Sequence, residues 1–289
     1  MSKRLVTLII VLAFVSLKTN ADDIPLKTDS LPLWEVKFAT FTGYGPSYPG
    51  SKESQFDFVP LPFPIYRGEI LRIGDETGKP ISARLLESSR FRLDLDFGMN
   101  FSVDSEDIDA RSGMPDLDIL LEAGPELEIK LSDSFAKGNL VLALQTRGAW
   151  SFDEFNSTSR GVIGSTELQY KKMLRDSGSE FKIRVTPSWA NKDYMNFFYG
   201  VDEEYESSFR KPYSAKSGYL GTRISMSLKK PLSDKLEFRT GASIGLYNGA
   251  ANDGSPLFTD KKTYSGYIAL FWSFWESNRQ APRIQYKFE

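Results

Sequence analysis

Apolar and polar residues alternate without interruption from Phe91 to Val103. A two-residue period places successive side chains on opposite faces of a strand, so this segment has one apolar and one polar face. The same period returns along most of the chain and predicts about twelve strands. They lie at Leu33–Tyr44, Phe56–Tyr66, Glu69–Ile73, Ile81–Glu87, Phe91–Val103, Ile119–Leu131, Leu140–Trp150, Val162–Met173, Phe181–Trp189, Leu220–Leu228, Leu236–Tyr247 and Tyr264–Phe274.

The predicted connections are of two kinds. Short segments rich in Asp, Ser, Gly and Lys indicate tight turns, whereas much longer segments separate other strand pairs. Over the second half of the chain the two kinds alternate, as an up-and-down meander requires. The short turns are Ser132–Lys137, Arg175–Ser179 and Pro231–Lys235, and the long loops are Asp104–Asp118, Asn191–Ser214 and Asn248–Thr263.

Composition changes how this pattern is interpreted. Charged residues make up 26% of the chain and the mean hydropathy is −0.33, values typical of a soluble protein. A transmembrane barrel strand, however, presents only every second residue to lipid, so its average hydropathy is also low. Aromatic residues reach 13%, which suits lipid-facing strands with aromatic girdles. We therefore predict an all-β fold: a transmembrane antiparallel up-and-down β-barrel of about twelve strands.

An exported soluble β-domain, such as a sandwich or a lipocalin-like barrel, has the same alternation with its apolar face inward. The polar positions of the strands favour the membrane barrel, because Glu122, Glu126 and Glu128 lie on the same face of a single strand. A closed barrel can match such a row with arginines on its other strands. The soluble secreted β-domain remains an alternative.

In such a barrel the polar positions of each strand face inward, and they predict which residues line the lumen. Charged side chains there either line an ion-selective channel or pair across a narrow barrel and close it, and the sequence leaves both outcomes open. The predicted lumen residues are Arg92, Glu122, Glu126, Glu128, Arg147, Arg223 and Arg239.

The N-terminus has the features of a secretory signal peptide. Lys3 and Arg4 precede an apolar run of about 13 residues, which is shorter than the roughly 20 residues of a membrane-spanning helix. Small residues at Thr19 and Ala21 predict cleavage after Ala21. The expected organisation is a signal peptide over residues 1–21 and an outer-membrane barrel over residues 22–289.

The residue inventory restricts the chemistry. The chain has no cysteine and no histidine, which excludes thiol nucleophiles, Ser–His pairs and imidazole metal ligands. The acidic segment Asp104–Asp109 lacks the spacing of a calcium loop and is interpreted as a solvated loop. The 36 basic and 38 acidic residues nearly balance, so the protein has no overall positive electrostatic field that would favour nucleic-acid binding. We predict no enzyme activity, no cofactor and no metal site.

Four phrases of the sequence occur in a recognisable order: Gly43–Ser51, Leu61–Gly68, Ala110–Asp118 (followed by Glu122–Pro125) and Phe198–Val201. Together they resemble the MipA/OmpV family of outer-membrane proteins, named after the MltA-interacting protein. The residues that carry the resemblance are Pro46, Tyr48, Gly50, Ser51, Tyr66, Arg67, Gly68, Arg111, Gly113, Met114, Pro115, Asp116, Tyr199, Gly200 and Val201.

The resemblance implies a non-enzymatic barrel in the outer membrane of a Gram-negative cell, in contact with lipid and lipopolysaccharide. It further implies a scaffold that holds a periplasmic murein transglycosylase near a murein synthase, or a surface or adhesion protein. A small-solute pore is the alternative. One feature departs from the family: the last strand is expected to end at Phe274, yet the chain continues to Glu289. Residues 276–289 are therefore either a tail or an extra paired segment.

Overall fold

The computed structural model describes residues 31–74, 81–153, 156–174 and 177–282. These described residues form twelve strands and one α-helix, α1 (Lys192–Tyr199). The predicted signal peptide, residues 1–21, lies outside them and stays a prediction. The strands are β1 (Trp34–Pro46), β2 (Ser54–Arg67), β3 (Leu71–Ile73), β4 (Ile81–Glu87), β5 (Phe91–Asn100), β6 (Ile119–Phe135), β7 (Gly138–Asp153), β8 (Asn156–Leu174), β9 (Ser179–Ala190), β10 (Gly218–Ser233), β11 (Leu236–Leu246) and β12 (Lys262–Glu276).

The sheet closes on itself. Each strand pairs antiparallel with the next strand in sequence, and β1 also pairs with β12. This seam runs from Glu35 opposite Glu276 to Tyr44 opposite Gly266. The twelve-stranded, antiparallel up-and-down barrel predicted from the alternation is therefore confirmed. Among the described residues, no helix combines the length and apolarity needed to cross a bilayer.

The two faces of β5 show how the barrel is oriented. Arg92, Asp94 and Asp96 point inward and are at most 8% exposed, whereas Phe91 and Phe97 on the other face are 45% and 37% exposed. Large apolar side chains continue this outer face on the other strands. A continuous apolar outer surface is stable only against lipid. The polar side chains therefore face the interior of the barrel, whereas a soluble lipocalin-like domain requires its apolar side chains there.

The barrel has a short-turn end and a long-loop end. At the short-turn end β6 and β7 extend beyond the predicted boundaries and leave only Ala136 and Lys137 in the turn, with φ of 48° and 63°. Two consecutive residues with positive φ form the hairpin turn that matches the twist of paired strands. The predicted loops Asp104–Asp118, Asn191–Ser214 and Asn248–Thr263 all lie at the opposite end.

Most strand bounds differ from the prediction by a few residues, and two of these differences change the connections. β5 ends at Asn100 rather than Val103, because Val103 pairs with Leu117 inside the following loop. β12 continues through Phe274 to Glu276. Beyond it the backbone N–H of Ser277 donates to Trp34 O at 2.9 Å, and that of Ala281 to Leu31 O at 2.7 Å. The described part of the C-terminal segment is thus paired with the residues that precede β1.

Candidate functional site: the capped, charged lumen

The longest loop folds into α1 because its first residues supply a helix cap. Asn191 is the N-cap, and its side-chain oxygen accepts the backbone N–H of Tyr194 at 3.1 Å. The same oxygen accepts the N–H of Val162 at 3.0 Å, which ties the helix start to β8. Gly161 permits this approach: its φ is +93°, and a Cβ there would lie 2.2 Å from the Asn191 oxygen.

The helix covers the long-loop end of the lumen. Tyr194, Met195, Phe198 and Tyr199 recur at the spacing that places side chains on one helix face, and all four are buried. They pack against residues of the other loops and of the strand ends nearest the loops, which makes a hydrophobic core inside the rim of the barrel. We call this assembly the cap; its buried members are Tyr48, Val103, Ile108, Leu117, Leu120, Ala149, Ile163, Ala190, Tyr194, Met195, Phe198, Tyr199, Ala215 and Leu220.

Tyrosine hydroxyls hold the loops of the cap together. Tyr48 donates to the carbonyl of Leu257 at 2.6 Å, and Tyr199 donates to the carbonyl of Pro49 at 2.7 Å. Ser255 in turn donates to the carbonyl of Tyr199 at 2.8 Å. Burial raises the pKa of Tyr48 to about 12 and raises the pKa of Tyr199 well above its usual range. Both phenols are therefore neutral donors at physiological pH.

Two buried arginines satisfy loop carbonyls that no strand can pair. Arg111 donates to Ser105 Oγ at 3.1 Å and to the carbonyl of Pro115 at 2.9 Å. Arg210 donates to the carbonyls of Ala110 and Ser112 at 3.0 and 2.9 Å. Because one guanidinium carries five donors, each arginine fixes several backbone groups at once. Burial lowers the pKa of Arg111.

Three carboxylates of the acidic loop accept hydrogen bonds from the loop's own backbone. Asp104 Oδ1 accepts the backbone N–H of Glu106, and Glu106 Oε1 accepts the N–H of Gly113. Asp116 Oδ1 accepts the N–H of Ser105 at 2.7 Å. Among the described residues, no group of histidine, cysteine or acidic side chains is arranged to hold a metal ion. The loop is therefore a capped structural turn.

The structure brings most of the family-motif residues together in the cap. Gly50 O accepts the N–H of Thr259, and Val201 pairs with Tyr213, so these phrases hold separate loops to one another. The phrase Tyr66–Gly68 is the exception and lies at the short-turn end, where Arg67 donates to Glu35 Oε2 at 2.6 Å. The motif residues in or beside the cap are Pro46, Tyr48, Gly50, Ser51, Arg111, Gly113, Met114, Pro115, Asp116, Tyr199, Gly200 and Val201.

The cap is tied to the lumen by a buried hydrogen bond. The Tyr194 hydroxyl donates to Glu122 Oε1 at 2.8 Å, and Glu122 Oε2 lies 3.2 Å from the Arg147 guanidinium. Burial, and secondarily the neighbouring Glu122, raises the pKa of Tyr194 well above its usual range. Gly98 leaves room for the arginine, since a Cβ there would lie 2.7 Å from Arg147.

A cavity of about 710 Å³ lies beneath the cap. Its lining combines carboxylates, arginines and a series of hydroxyl groups. Gln145 Nε2 donates to Asp96 at 2.6 Å and to Glu126 at 2.8 Å, while Arg184 lies 3.5 Å from Glu167. The lining side chains with formal charge are Asp57, Asp96, Asp118, Glu122, Glu126, Glu167, Arg147, Arg184 and Arg223.

Ion pairs line the inner wall of the barrel towards the short-turn end. Arg92 lies 3.2 Å from Asp94 and also pairs with Glu128 on β6. Similar contacts continue around the barrel wall. Inside a barrel they satisfy charges that are withdrawn from bulk water. The further pairs are Lys37–Glu35, Arg67–Glu35, Arg84–Glu87, Lys171–Glu180, Lys182–Glu180, Lys229–Glu237 and Arg239–Glu237.

The predicted lumen residues all lie on inward-facing strand positions. Two of the expected cross-strand pairs form, Arg92 with Glu128 and Arg147 with Glu122. Glu126 accepts a hydrogen bond from Gln145 Nε2, and Arg239 pairs with Glu237 on its own strand. Arg223 lines the cavity, and among the described residues it has no ion-pair partner. The sequence analysis did not identify Asn191, Tyr194 or Arg210. A cap residue followed by helical spacing at Tyr194–Tyr199 was the available signal for the first two.

Comparison with known proteins decides the family. The family model described as "MltA-interacting protein MipA" matches residues 40–274, which includes every motif named above. The chain belongs to this family. The family and the apolar outer face of the closed barrel support an outer-membrane location. No curated protein sequence matches the chain significantly.

Several solved barrels are similar in outline. The NanC porin has 8% sequence identity, covering 82% of this chain and 100% of that one, with a TM-score of 0.40. The translocator domain of the autotransporter NalP from Neisseria meningitidis has 10% identity, 86% and 91% coverage and a TM-score of 0.43. Outer membrane phospholipase A from Escherichia coli has 12% identity, 84% and 94% coverage and a TM-score of 0.37. Because these sequence identities and TM-scores are low, the fold is assigned from the strand pairing of this chain.

Proposed function

We propose that this barrel is a closed, non-enzymatic scaffold of the outer membrane that holds murein-remodelling enzymes close to the membrane. The observation that carries the proposal is the arrangement of side chains at the two ends of the lumen. The cap covers one end, with Tyr194 bonded to Glu122, and a network of ion pairs lines the wall at the other. We infer that these side chains close the lumen, and a closed barrel is suited to presenting a surface rather than to conducting solutes. The family's description as MltA-interacting supports a murein transglycosylase as one partner.

The contact surface is proposed at the short-turn end. Both chain ends of a barrel with an even number of strands lie at the same end, and in outer-membrane barrels the short turns face the periplasm. A stable interface needs roughly 800 Å² per partner, more than isolated hairpin turns supply. The described segment after Glu276, paired with the residues before β1, adds to this surface. Ile70 and Leu232 also expose apolar side chains there.

Affinity purification from detergent-solubilised envelopes tests the scaffold. The wild-type barrel is expected to retain a periplasmic murein transglycosylase, and the double variant Ile70→Glu, Leu232→Glu is expected to lose it. Phe209→Glu is the matched control, because Phe209 is 66% exposed, like Ile70 at 64%, but lies in a loop at the opposite end. Retention of the enzyme by the double variant, or its absence from the wild-type sample, would contradict the proposal.

Planar-bilayer recording separates the scaffold from the small-solute pore. We expect no steady conductance from the purified wild-type barrel. Replacing residues 192–199 by a Gly/Ser linker removes α1 and is expected to increase the current, because the linker cannot rebuild the buried face of the cap. A stable, ion-selective channel in the wild-type protein would favour the pore instead.

A further inference from the structure

Small inward-facing residues form one wall of the cavity beneath the cap. Ser225 of β10, Ser243 of β11 and Ser265 of β12 lie opposite one another in register. We call these three residues the serine row. Gly45 continues it on β1, where a Cβ would lie 3.0 Å from the Cβ of Ser265. All four residues line the cavity, and their small size leaves the wall open to a ligand.

The hydroxyls of the serine row keep hydrogen-bonding capacity. Ser243 Oγ and Ser265 Oγ lie 2.6 Å apart and share one hydrogen bond. A serine hydroxyl has one donor and two acceptor sites. One mutual bond therefore leaves further sites on the two hydroxyls for a ligand in the cavity.

Two aromatic rings border the serine row on its short-turn side. Tyr267 follows Ser265 by two residues on β12, and its ring is nearly parallel to that of Phe41 on β1, with centroids 5.7 Å apart and planes at 24°. Each ring lies across a glycine. A Cβ at Gly241 would lie 2.6 Å from Tyr267 Cε1, and one at Gly43 would lie 3.0 Å from Phe41 Cε1. The rings therefore lie along the barrel wall, and both line the cavity. We call them the aromatic platform.

A guanidinium lies on the cap side of the serine row. Arg223 precedes Ser225 by two residues on β10, its side chain is exposed to the cavity, and among the described residues it has no ion-pair partner. Arg184, opposite Ser225 on β9, is instead held by Glu167 at 3.5 Å and by Gln169 at 3.1 Å. A guanidinium carries five N–H donors, so Arg223 supplies this wall with donors for oxygen atoms of a ligand.

The three features follow one another along the strands. A strand rises about 3.3 Å per residue, so the backbones of Tyr267 and Arg223 lie roughly 13 Å apart along the strand direction, with the serine row halfway. One face of a sugar ring carries C–H groups that stack on the negative face of an aromatic ring, and its hydroxyls both donate and accept hydrogen bonds. We propose that this wall is a binding site for a saccharide of about two rings. One ring stacks on the aromatic platform, and the other bonds to the serine row and to Arg223.

Other ligand classes use only part of this wall. An alkyl chain would contact the aromatic platform but would leave the serine row and Arg223 without hydrogen bonds. An inorganic anion would pair with Arg223 but would make no use of the rings. The cavity volume of about 710 Å³ lies within the roughly 300–1,000 Å³ of small-molecule sites. Size and chemistry therefore both favour a saccharide.

This site does not require a conducting barrel. A ligand reaches a cavity beneath the cap when one end of the lumen opens, so binding is compatible with the absence of a steady current. The site is also separate from the contact surface proposed at the short-turn end. Loss of a murein enzyme from that surface and loss of saccharide binding in the lumen are distinguishable results.

Saturation-transfer NMR tests the ligand class. The purified barrel, in a detergent whose head group is not a sugar, is mixed with maltose, cellobiose or lactose while aromatic protein protons are irradiated. Saturation is expected to pass to the C–H protons of at least one disaccharide and not to tetraethylene glycol, which has no ring face. Transfer to none of the three sugars, or equal transfer to tetraethylene glycol, would overturn the proposal.

A matched pair of variants on β12 tests the position of the site. Tyr267→Leu keeps apolar bulk but removes the ring from the platform, and we expect about tenfold weaker binding. Tyr264→Leu is the control, because Tyr264 is 61% exposed on the outer face of the same strand. Tyr267→Phe keeps the ring and should retain binding. Equal affinity of the two leucine variants, each folded and heat-modifiable, would overturn the site.

Arg223→Gln tests the other end of the site. It removes the charged donor and is expected to weaken disaccharide binding about tenfold, the loss expected for a hydrogen bond to a charged group. Lys211→Gln is the control, because Lys211 is an exposed loop residue paired with Glu206 outside the lumen. Unchanged affinity in a folded Arg223→Gln barrel would overturn the proposed placement of the saccharide.

Discussion

The hydroxyl of Tyr194, on a helix formed by a loop, donates 2.8 Å to Glu122 on the inner wall of the barrel. This bond joins two structures with different origins: a hydrophobic cap built from loops and a charged lumen built from alternating strands. Glu122 is also paired with Arg147. A buried carboxylate with both partners is stable, whereas one that loses a partner is costly. The cap and the lumen are therefore expected to open together rather than separately.

Tyr194→Phe tests this connection. The substitution removes the donor but keeps the ring in the cap, and it leaves Glu122 with Arg147. We expect the cap to open more readily by about 1–2 kcal/mol, which corresponds to roughly 5- to 30-fold faster amide hydrogen exchange over residues 192–199. Tyr264→Phe is the control, because Tyr264 is exposed on the outer face. Unchanged exchange in Tyr194→Phe would show that packing alone holds the helix.

The cap should also loosen at alkaline pH. Burial raises the pKa of Tyr48 to about 12 and those of Tyr194 and Tyr199 well above their usual range. A phenol in the unfolded chain titrates near 10, so the stabilisation from these groups is complete below about pH 10. It is lost as the pH rises through about 12, because the unfolded state ionises first. Ultraviolet titration of tyrosinate should show this late phase, and Tyr48→Phe should reduce it; a single transition near pH 10 would contradict it.

The outward face can be tested by placing charge in the lipid. Phe97→Arg puts a guanidinium on the outer surface of β5, where a midplane arginine costs about 2–4 kcal/mol. Ser225→Lys is the control, because Ser225 points into the cavity, where a cation finds water and carboxylates. Folding into lipid vesicles, followed by the heat-modifiable shift on gels, should be impaired only in Phe97→Arg. Equal impairment of both variants would contradict the assigned faces.

The sequence predicted the barrel well because every strand repeats one simple constraint. Each residue between Phe91 and Asn100 faces either lipid or lumen, so composition at each position reports its side. Boundaries were less accurate where tertiary pairing decides them, as at Val103, which pairs with Leu117 across a loop. The long loops were predicted only as connections between strands, and the acidic segment Asp104–Asp109 as a solvated loop. Instead they form a core, because residues far apart in sequence, such as Tyr48 and Leu257, meet only after the barrel has closed.

Partner choice in the lumen could not be predicted for a related reason. Alternation identifies which side chains point inward, but strand register determines which of them meet. Glu126 lies opposite Gln145, and Arg147 pairs with Glu122, four residues away from Glu126 on β6. Arg239 finds Glu237 two residues away on its own strand. A shift of one residue in any register would produce a different set of pairs.

Arg111→Lys tests the hydrogen bonding that organises the acidic loop. Lysine keeps the positive charge but cannot reproduce the planar guanidinium that reaches both Ser105 Oγ and the carbonyl of Pro115. Leaving one buried carbonyl unpaired costs about 1–3 kcal/mol. Faster hydrogen exchange over residues 104–118 is therefore expected, with the strands β6–β9 unchanged. Lys211→Ala is the control, since its pair with Glu206 is exposed and contributes little. If Arg111→Lys exchanged no faster than Lys211→Ala, the cap would depend on its apolar residues rather than on its buried arginines.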